Sequence, residues 1–201
     1  MKDKAMVSSG YTRIENDAYF TIEKWCTEAL LKTLPQKYPT HETIWEPACG
    51  AGHMSEVFEE RGYEVVSTDI KNWGYSKMVA EENFLDTTKA RGDHIVTNPP
   101  YTKKEAEAFV RHAVNMIDRN EVSSVAMLMR NEWDCAAGRS DLFKDCPYYA
   151  GRITLLKRPR WFEKQEGDAS PRHNYAWFYW SAGKALTNRF PFVQYHDPKD
   201  P

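Results

Sequence analysis

Cysteine is scarce and scattered in this chain. The four cysteines (Cys26, Cys49, Cys135, Cys146) form no C-x-x-C pair among the 201 residues. That spacing argues against a disulfide framework and against a zinc site, so no metal is expected and a reduced, cytoplasmic setting is the default. Long apolar runs are also missing. The longest, near residues 125–129, has the length of a strand, far short of the ~20 residues a membrane helix needs. The opening Met1-Lys2-Asp3-Lys4 leads into no apolar stretch, so neither a secretory leader nor a membrane partner is expected. No internal repeat, low-complexity tract or linker interrupts the chain. What is abundant is core material: 41% of residues are hydrophobic and 13% aromatic, which excludes a disordered chain and suits one ordinary domain. Residues 1–16 lack periodicity and are expected to form a flexible N-terminal tail, with a single domain over 17–201.

The net charge of −2 is unevenly divided, −5 over residues 1–100 and +3 over 101–201. Six basic residues against three acidic ones fall within 152–172. This asymmetry permits contact with a polyanion on one face, and a solvated mixed-charge surface explains it equally well.

Hydrophobic periodicity alternates between two periods along the chain. Ile22, Trp25, Cys26, Ala29 and Leu30 recur at helical spacing until Pro35 ends the run. Residues 43–45 read as a strand, followed by the turn Pro47-Ala48-Cys49-Gly50-Ala51-Gly52. Met54, Val57 and Phe58 mark a helix that Gly62 can cap, and 63–68 reads as a strand closing on Asp69. A strand at 94–97 is halted by Asn98-Pro99-Pro100. Phe109, Val110, Ala113, Met116 and Ile117 give an amphipathic helix, then 122–129, 153–156 and 175–180 read as strands. Such alternation predicts an α/β fold with a mostly parallel sheet. Trp177, Phe178, Tyr179 and Trp180 are expected in a core strand.

Two turns carry chemistry. Glycines after the first strand let a ligand approach the backbone, and Asp69, 17 residues beyond Gly52, is suited to accept both hydroxyl hydrogens of a ribose. A tight structural turn would use the same glycines. The tetrapeptide Asn98-Pro99-Pro100-Tyr101 is more specific. Its two prolines end the strand, and an amide oxygen, a prolyl carbonyl and a planar ring are left close together. That set can accept both hydrogens of an exocyclic amino group while stacking on its ring.

These residues resemble the class I S-adenosylmethionine-dependent methyltransferases, in particular the N6-adenine DNA enzymes with Asn-Pro-Pro-Tyr. Tyr19-Phe20-Thr21 resembles their N-terminal cofactor motif, with Ile22 where that motif usually has proline. Asn83-Phe84-Leu85-Asp86 resembles the element that contacts the cofactor adenine, Asn83 as polar partner and Phe84 as ring neighbour. The resemblance spans residues 17–130 and weakens to Arg158-Pro159-Arg160-Trp161-Phe162, which is similar to an aromatic base-stacking segment. It implies a Rossmann-like fold with a mostly parallel seven-stranded sheet, flanking helices and an antiparallel C-terminal hairpin. The implied cofactor is S-adenosyl-L-methionine, bound by Tyr19, Phe20, Thr21, Glu46, Pro47, Ala48, Cys49, Gly50, Gly52, Asp69, Ile70, Asn83 and Phe84. The implied reaction is in-line methyl transfer to adenine N6 at Asn98, Pro99, Pro100 and Tyr101, with Tyr101 stacked on a base rotated out of the duplex.

Members of that group usually carry a separate target-recognition domain. Here specificity is expected from the loops 131–151 and 157–174, or from a homodimer or second specificity subunit. Lys157, Arg158, Arg160 and Arg172 are candidates for phosphate contact. Trp161 and Phe162 either stack on the target base or cover the sheet edge. His53 and His173 are read as surface or satisfied histidines, and Cys49 as a small residue in a tight loop. A cytosine-C5 mechanism needs a Pro-Cys nucleophile, and the chain has only the reverse, Cys146-Pro147. The alternatives are an RNA base N-methyltransferase, a protein glutamine methyltransferase, or a cofactor-binding, non-catalytic subunit; DNA ranks ahead of RNA.

Overall fold

A computed structural model describes residues 19–161, 171–187 and 191–199. Phe162 and the 1–16 tail lie outside the described residues. Eight strands form one sheet: β1 (Thr43–Glu46), β2 (Glu64–Asp69), β3 (Ala80–Glu81), β4 (His94–Thr97), β5 (Ser124–Arg130), β6 (Tyr149–Leu155), β7 (Tyr175–Ser181) and β8 (Phe192–His196). Their order across the sheet is β3-β2-β1-β4-β5-β7-β6-β8. Strands β3 to β5 are mutually parallel, and β7 runs antiparallel to both β5 and β6. This is the expected mixed sheet with its C-terminal hairpin, enlarged by one strand. The addition, β8, pairs parallel with β6. It gives little signal in sequence because Val193, Gln194 and Tyr195 are all exposed, which destroys the period-2 contrast of a half-buried strand.

The central strands are buried on both faces, and successive residues alternate between two cores. Ile44, Val96, Leu128 and Trp177 face α1 (Lys24–Thr33) and α2 (His53–Glu60). Trp45, Ile95, Met127, Phe178 and Trp180 face the opposite side, where α3 (Lys103–Asp118) lies. The indole nitrogens of both β7 tryptophans are satisfied: Trp177 donates to the Cys26 carbonyl at 2.7 Å and Trp180 to that of Leu142 at 2.7 Å. The 175–180 run is therefore core, as its composition predicts.

Helix boundaries have local causes. Gly62 adopts φ 84° and donates to the Glu59 carbonyl at 2.9 Å, stopping α2. Helix α3 starts immediately beyond Pro99-Pro100, with Thr102 as N-cap accepting from the Glu105 amide at 3.3 Å. A short helix, α4 (Ala182–Thr187), leads from β7 toward β8. The direction of winding reverses beside β1, whose neighbours are β2 and β4. In open α/β sheets the crevice at such a reversal is the preferred ligand site.

Candidate functional site

Three of the sequence-predicted residues stand at neighbouring strand ends beside that crevice. Glu46 ends β1, Asp69 ends β2, and Asn98 directly follows β4. Between the first two, the 47–52 loop is pinned from inside: the Gly50 amide donates to Asp69 Oδ2 at 2.8 Å, and the Cys49 amide to the Thr68 carbonyl at 3.0 Å. Gly50 (φ 54°) and Gly52 (φ 84°) are in the left-handed region that side chains disfavour. Each also lies beneath an aromatic ring. A Cβ on Gly50 would meet Phe20 at 2.6 Å, and one on Gly52 would meet Tyr75 at 2.2 Å.

A cleft of about 220 Å³, open to solvent, lies at this point. Tyr19, Phe20, Thr21, Glu46, Ala48 and Cys49 line it, together with Asn98, His53 and Met54. Glu46 is only 2% exposed, and burial pushes its carboxyl up to about 8 although Ser55 donates to Oε2. Ser55 is linked in turn to Ser67 at 2.6 Å. A carboxyl buried this way gains most from a cationic ligand, which restores the partner that water would supply.

Asp69, 6% exposed, is used heavily by its own chain. Its Oδ1 accepts from the Lys71 amide at 3.1 Å and from Trp73 Nε1 at 3.3 Å. Burial raises its carboxyl, and the bond from Gly50 is the largest effect opposing that rise. Ile70, the residue directly after β2, is 69% exposed and offers a bare apolar surface.

Asn98 is held at both ends of its amide. Nδ2 donates to the Tyr19 carbonyl at 2.7 Å, and the Tyr101 hydroxyl donates to Oδ1. The half-buried Tyr101 ring sits among Tyr19 (5.3 Å between centroids), Tyr175 (5.6 Å) and Trp161 (5.7 Å). Burial pushes its hydroxyl well above the usual tyrosine range. Arg130, the last residue of β5 and the register partner of Tyr175, lies beside the cluster.

No protein-family model and no curated protein sequence matches this chain. Solved structures do. A protein from Listeria monocytogenes described as a class I S-adenosylmethionine-dependent methyltransferase superposes with TM-score 0.61 at 12% identity, over 96% of this chain and 70% of that one. A dimethyladenosine transferase from Plasmodium falciparum gives 0.54 at 13%, over 82% and 64%. A protein from Vibrio vulnificus described as the modification subunit of a type I restriction enzyme gives 0.52 at 14%, over 92% and 48%. The chain has the class I methyltransferase fold.

Within this methyltransferase fold several candidate residues sit where the sequence suggests, and others do not. Pro47 is buried at the start of the loop, and Pro47, Gly50, Gly52, Asp69 and Ile70 are not among the residues that line the cleft. Asn83 caps a 3-10 turn, accepting from the Leu85 amide at 3.2 Å and donating to Asp86 at 2.9 Å. Phe84, 1% exposed, packs against Trp45, Phe109 and His112, so its ring belongs to the core and not to the cleft. Trp161 is 8% exposed and donates to the Tyr175 hydroxyl at 3.2 Å, so it supports Tyr101 from within. Among the basic candidates, Lys157 pairs with Glu23 at 3.3 Å, and Arg158 donates to Asn174 at 2.8 Å and to the Pro171 carbonyl at 3.3 Å. The Arg160 amide donates to Glu23 at 2.7 Å, and Arg172 is exposed.

Sequence reasoning missed His53, Met54, Trp73, Tyr75 and Arg130. The one available signal was the Trp73-Gly74-Tyr75 run directly beyond Asp69. Its aromatic–glycine character fits a segment that folds back over a glycine loop. Among the described residues, no group of His, Cys, Asp and Glu could hold a metal ion, and no helix is long and apolar enough to cross a membrane.

Proposed function

We propose that this chain is an S-adenosylmethionine-dependent methyltransferase acting on the N6 amino group of adenine in DNA. The observation that carries the reading is Asn98-Pro99-Pro100-Tyr101 at the carboxyl end of β4, with Asn98 on the wall of the glycine-loop cleft. The side chains at the adjacent ends of β1 and β2 fit the cofactor. Glu46 would face the cationic methionine end, Asp69 the ribose, and Ile70 the adenine ring. A ribose hydroxyl at Asp69 would take the place of Trp73, whose side chain donates to the carboxylate at 3.3 Å.

The cofactor supplies an electrophilic methyl group on a sulfonium. Everything else is work for the protein. An exocyclic adenine nitrogen is a poor nucleophile because its lone pair is delocalised into the ring. Asn98 Oδ1 accepts one bond from Tyr101 and has a second lone pair for an N6 hydrogen. With the Pro99 carbonyl taking the other hydrogen, both acceptors favour the pyramidal nitrogen that gains positive charge in the transition state. The basic 157–172 stretch supports a nucleic-acid substrate over a protein glutamine. Proteins of like fold that are described as a dimethyladenosine transferase and a restriction-enzyme modification subunit support the choice of adenine.

The deciding experiment supplies labelled S-adenosylmethionine with duplex DNA, single-stranded DNA, RNA and protein separately, followed by digestion and product identification. N6-methyladenine from DNA is the expected product. Label in RNA or in glutamine moves the assignment there, and cofactor binding without label in any substrate identifies a non-catalytic subunit.

A further inference from the structure

Residues 19–23 touch three places at once. Tyr19, Phe20 and Thr21 line the cleft, and the Tyr19 carbonyl receives the Asn98 amide at 2.7 Å. Two residues past Thr21, Glu23 reaches across the chain to the 157–161 loop. Its Oε2 accepts from the Arg160 amide at 2.7 Å, and its Oε1 pairs with Lys157 at 3.3 Å. Lys157 also lies 5.1 Å over the Trp25 ring. Glu23 occupies the N-cap position of α1 but makes no cap bond there, its side chain being longer than those of the usual N-cap residues. Among the described residues its carboxylate bonds to a loop more than 130 residues away, and it is 20% exposed there. Trp161, directly after Arg160, packs against Tyr101. The cleft wall, the Asn98 amide and the basic loop are thus joined through one short segment.

We infer that Glu23 is a positioning residue that fastens the 157–161 loop to the 19–21 strap, so that filling the cleft tightens binding of nucleic acid. This rests on the reading of that loop as a nucleic-acid contact. A ligand in the cleft restricts Tyr19, Phe20 and Thr21. Through Glu23 the same restriction orders Lys157 and Arg160, and a polyanion arriving afterwards bears less of the ordering cost. Linkage makes the effect reciprocal: nucleic acid must tighten the cofactor by the same factor.

The test uses the full chain, S-adenosylhomocysteine as a non-transferring cleft ligand, and a fluorescent single-stranded deoxyoligonucleotide containing adenine. Oligonucleotide Kd is read by anisotropy with and without saturating S-adenosylhomocysteine. The wild-type protein is expected to bind about 5–20-fold more tightly with the ligand present, the ordinary scale of such coupling. Glu23→Ala removes both loop contacts and should bring that ratio to about 1, with S-adenosylhomocysteine affinity by calorimetry unchanged within about twofold. Glu23→Gln still accepts from the Arg160 amide and should keep most of the coupling, which a loss of general stability would not produce. The inference is overturned if Glu23→Ala retains the wild-type ratio, or if the wild-type protein binds both ligands with no coupling. A wild-type protein that binds neither ligand overturns the methyltransferase reading and this inference with it.

Discussion

Replacing Glu46 with glutamine isolates the most perturbed carboxyl lining the cleft. Folded, Glu46 titrates near 8 in place of its ordinary 4.5, because burial penalises the charged form more than the Ser55 hydrogen bond helps it. The folded protein therefore holds this proton over a range in which the unfolded chain has released it. Stability from the group is complete below about pH 4.5, falls as pH rises, and levels off above about 8. Each pH unit within that window costs about 1.4 kcal/mol, or about 5 kcal/mol across it. That is a large share of the 5–15 kcal/mol that holds a typical domain together. The glutamine of Glu46→Gln is isosteric, keeps an oxygen for Ser55, and does not titrate.

Urea unfolding of both proteins at pH 6 and pH 8 measures the effect. The stability of the glutamine variant relative to wild type should rise by about 2–3 kcal/mol between the two pH values. Other carboxyls, Asp69 included, titrate in both proteins and cancel in the comparison. Cofactor binding supplies the complementary signal. A sulfonium beside Glu46 favours the carboxylate, so below pH 8 binding should expel a proton, seen as a calorimetric enthalpy that varies with the ionisation enthalpy of the buffer. Parallel stability profiles for the two proteins, together with buffer-independent binding heats, would refute the assignment of a buried, protonated Glu46.

Four further outcomes follow from the geometry. Asp69→Ala should weaken S-adenosylmethionine binding by about 1.5–3 kcal/mol, the worth of hydrogen bonds to a charged group; unchanged calorimetric affinity removes Asp69 from the site. Asn98→Ala should lower single-turnover methyl transfer by on the order of 10²–10³ while cofactor affinity shifts by only about 1 kcal/mol, since of the two residues whose bonds are lost, Tyr19 and Tyr101, only Tyr19 lines the cleft. Asn98→Asp should divide the other way, keeping part of the transfer rate but losing affinity, because an oxygen would replace Nδ2 at 2.7 Å from the Tyr19 carbonyl. Gly151→Ala should detach β8: Gly151 has φ 147° and a Cβ there would stand 2.3 Å from the Phe192 carbonyl oxygen, a cost of about 1–3 kcal/mol or more readable as a lowered Tm.

The parts of the fold legible in sequence are those whose burial is repeated along the chain. Strand β5 is buried on both faces and contains an unbroken apolar run over 125–129, and α3 shows its core face at every third or fourth position. The turn at 98–101 is legible because prolines remove both a torsion and a donor, whatever surrounds them. Phe84 and Trp161 were not legible, because an aromatic beside polar or basic neighbours has the same spelling whether its ring turns outward or into the core. Nor does a sequence show that Glu46 is sealed from water, or that Glu23 bonds to an amide 137 residues away. Such facts depend on which strand ends the topology brings together.

That dependence also bears on what the aromatic cluster contributes. The Asn98 amide could in principle turn end for end, presenting a donor in place of an acceptor to a substrate amino group. A carbonyl at Tyr19 fixes one end as the donor, and the hydroxyl of Tyr101 fixes the other as the acceptor. Tyr101 can do this only while it remains protonated and stationary. Burial secures the first by pushing its hydroxyl well above the usual range. Packing against Tyr19, Tyr175 and Trp161 secures the second. An acceptor oriented before substrate arrives bears no reorganisation cost during the reaction, which is the condition for stabilising a developing charge effectively. Trp161, 8% exposed, contributes by holding the ring that holds Asn98, whatever further contact Tyr101 makes with a base.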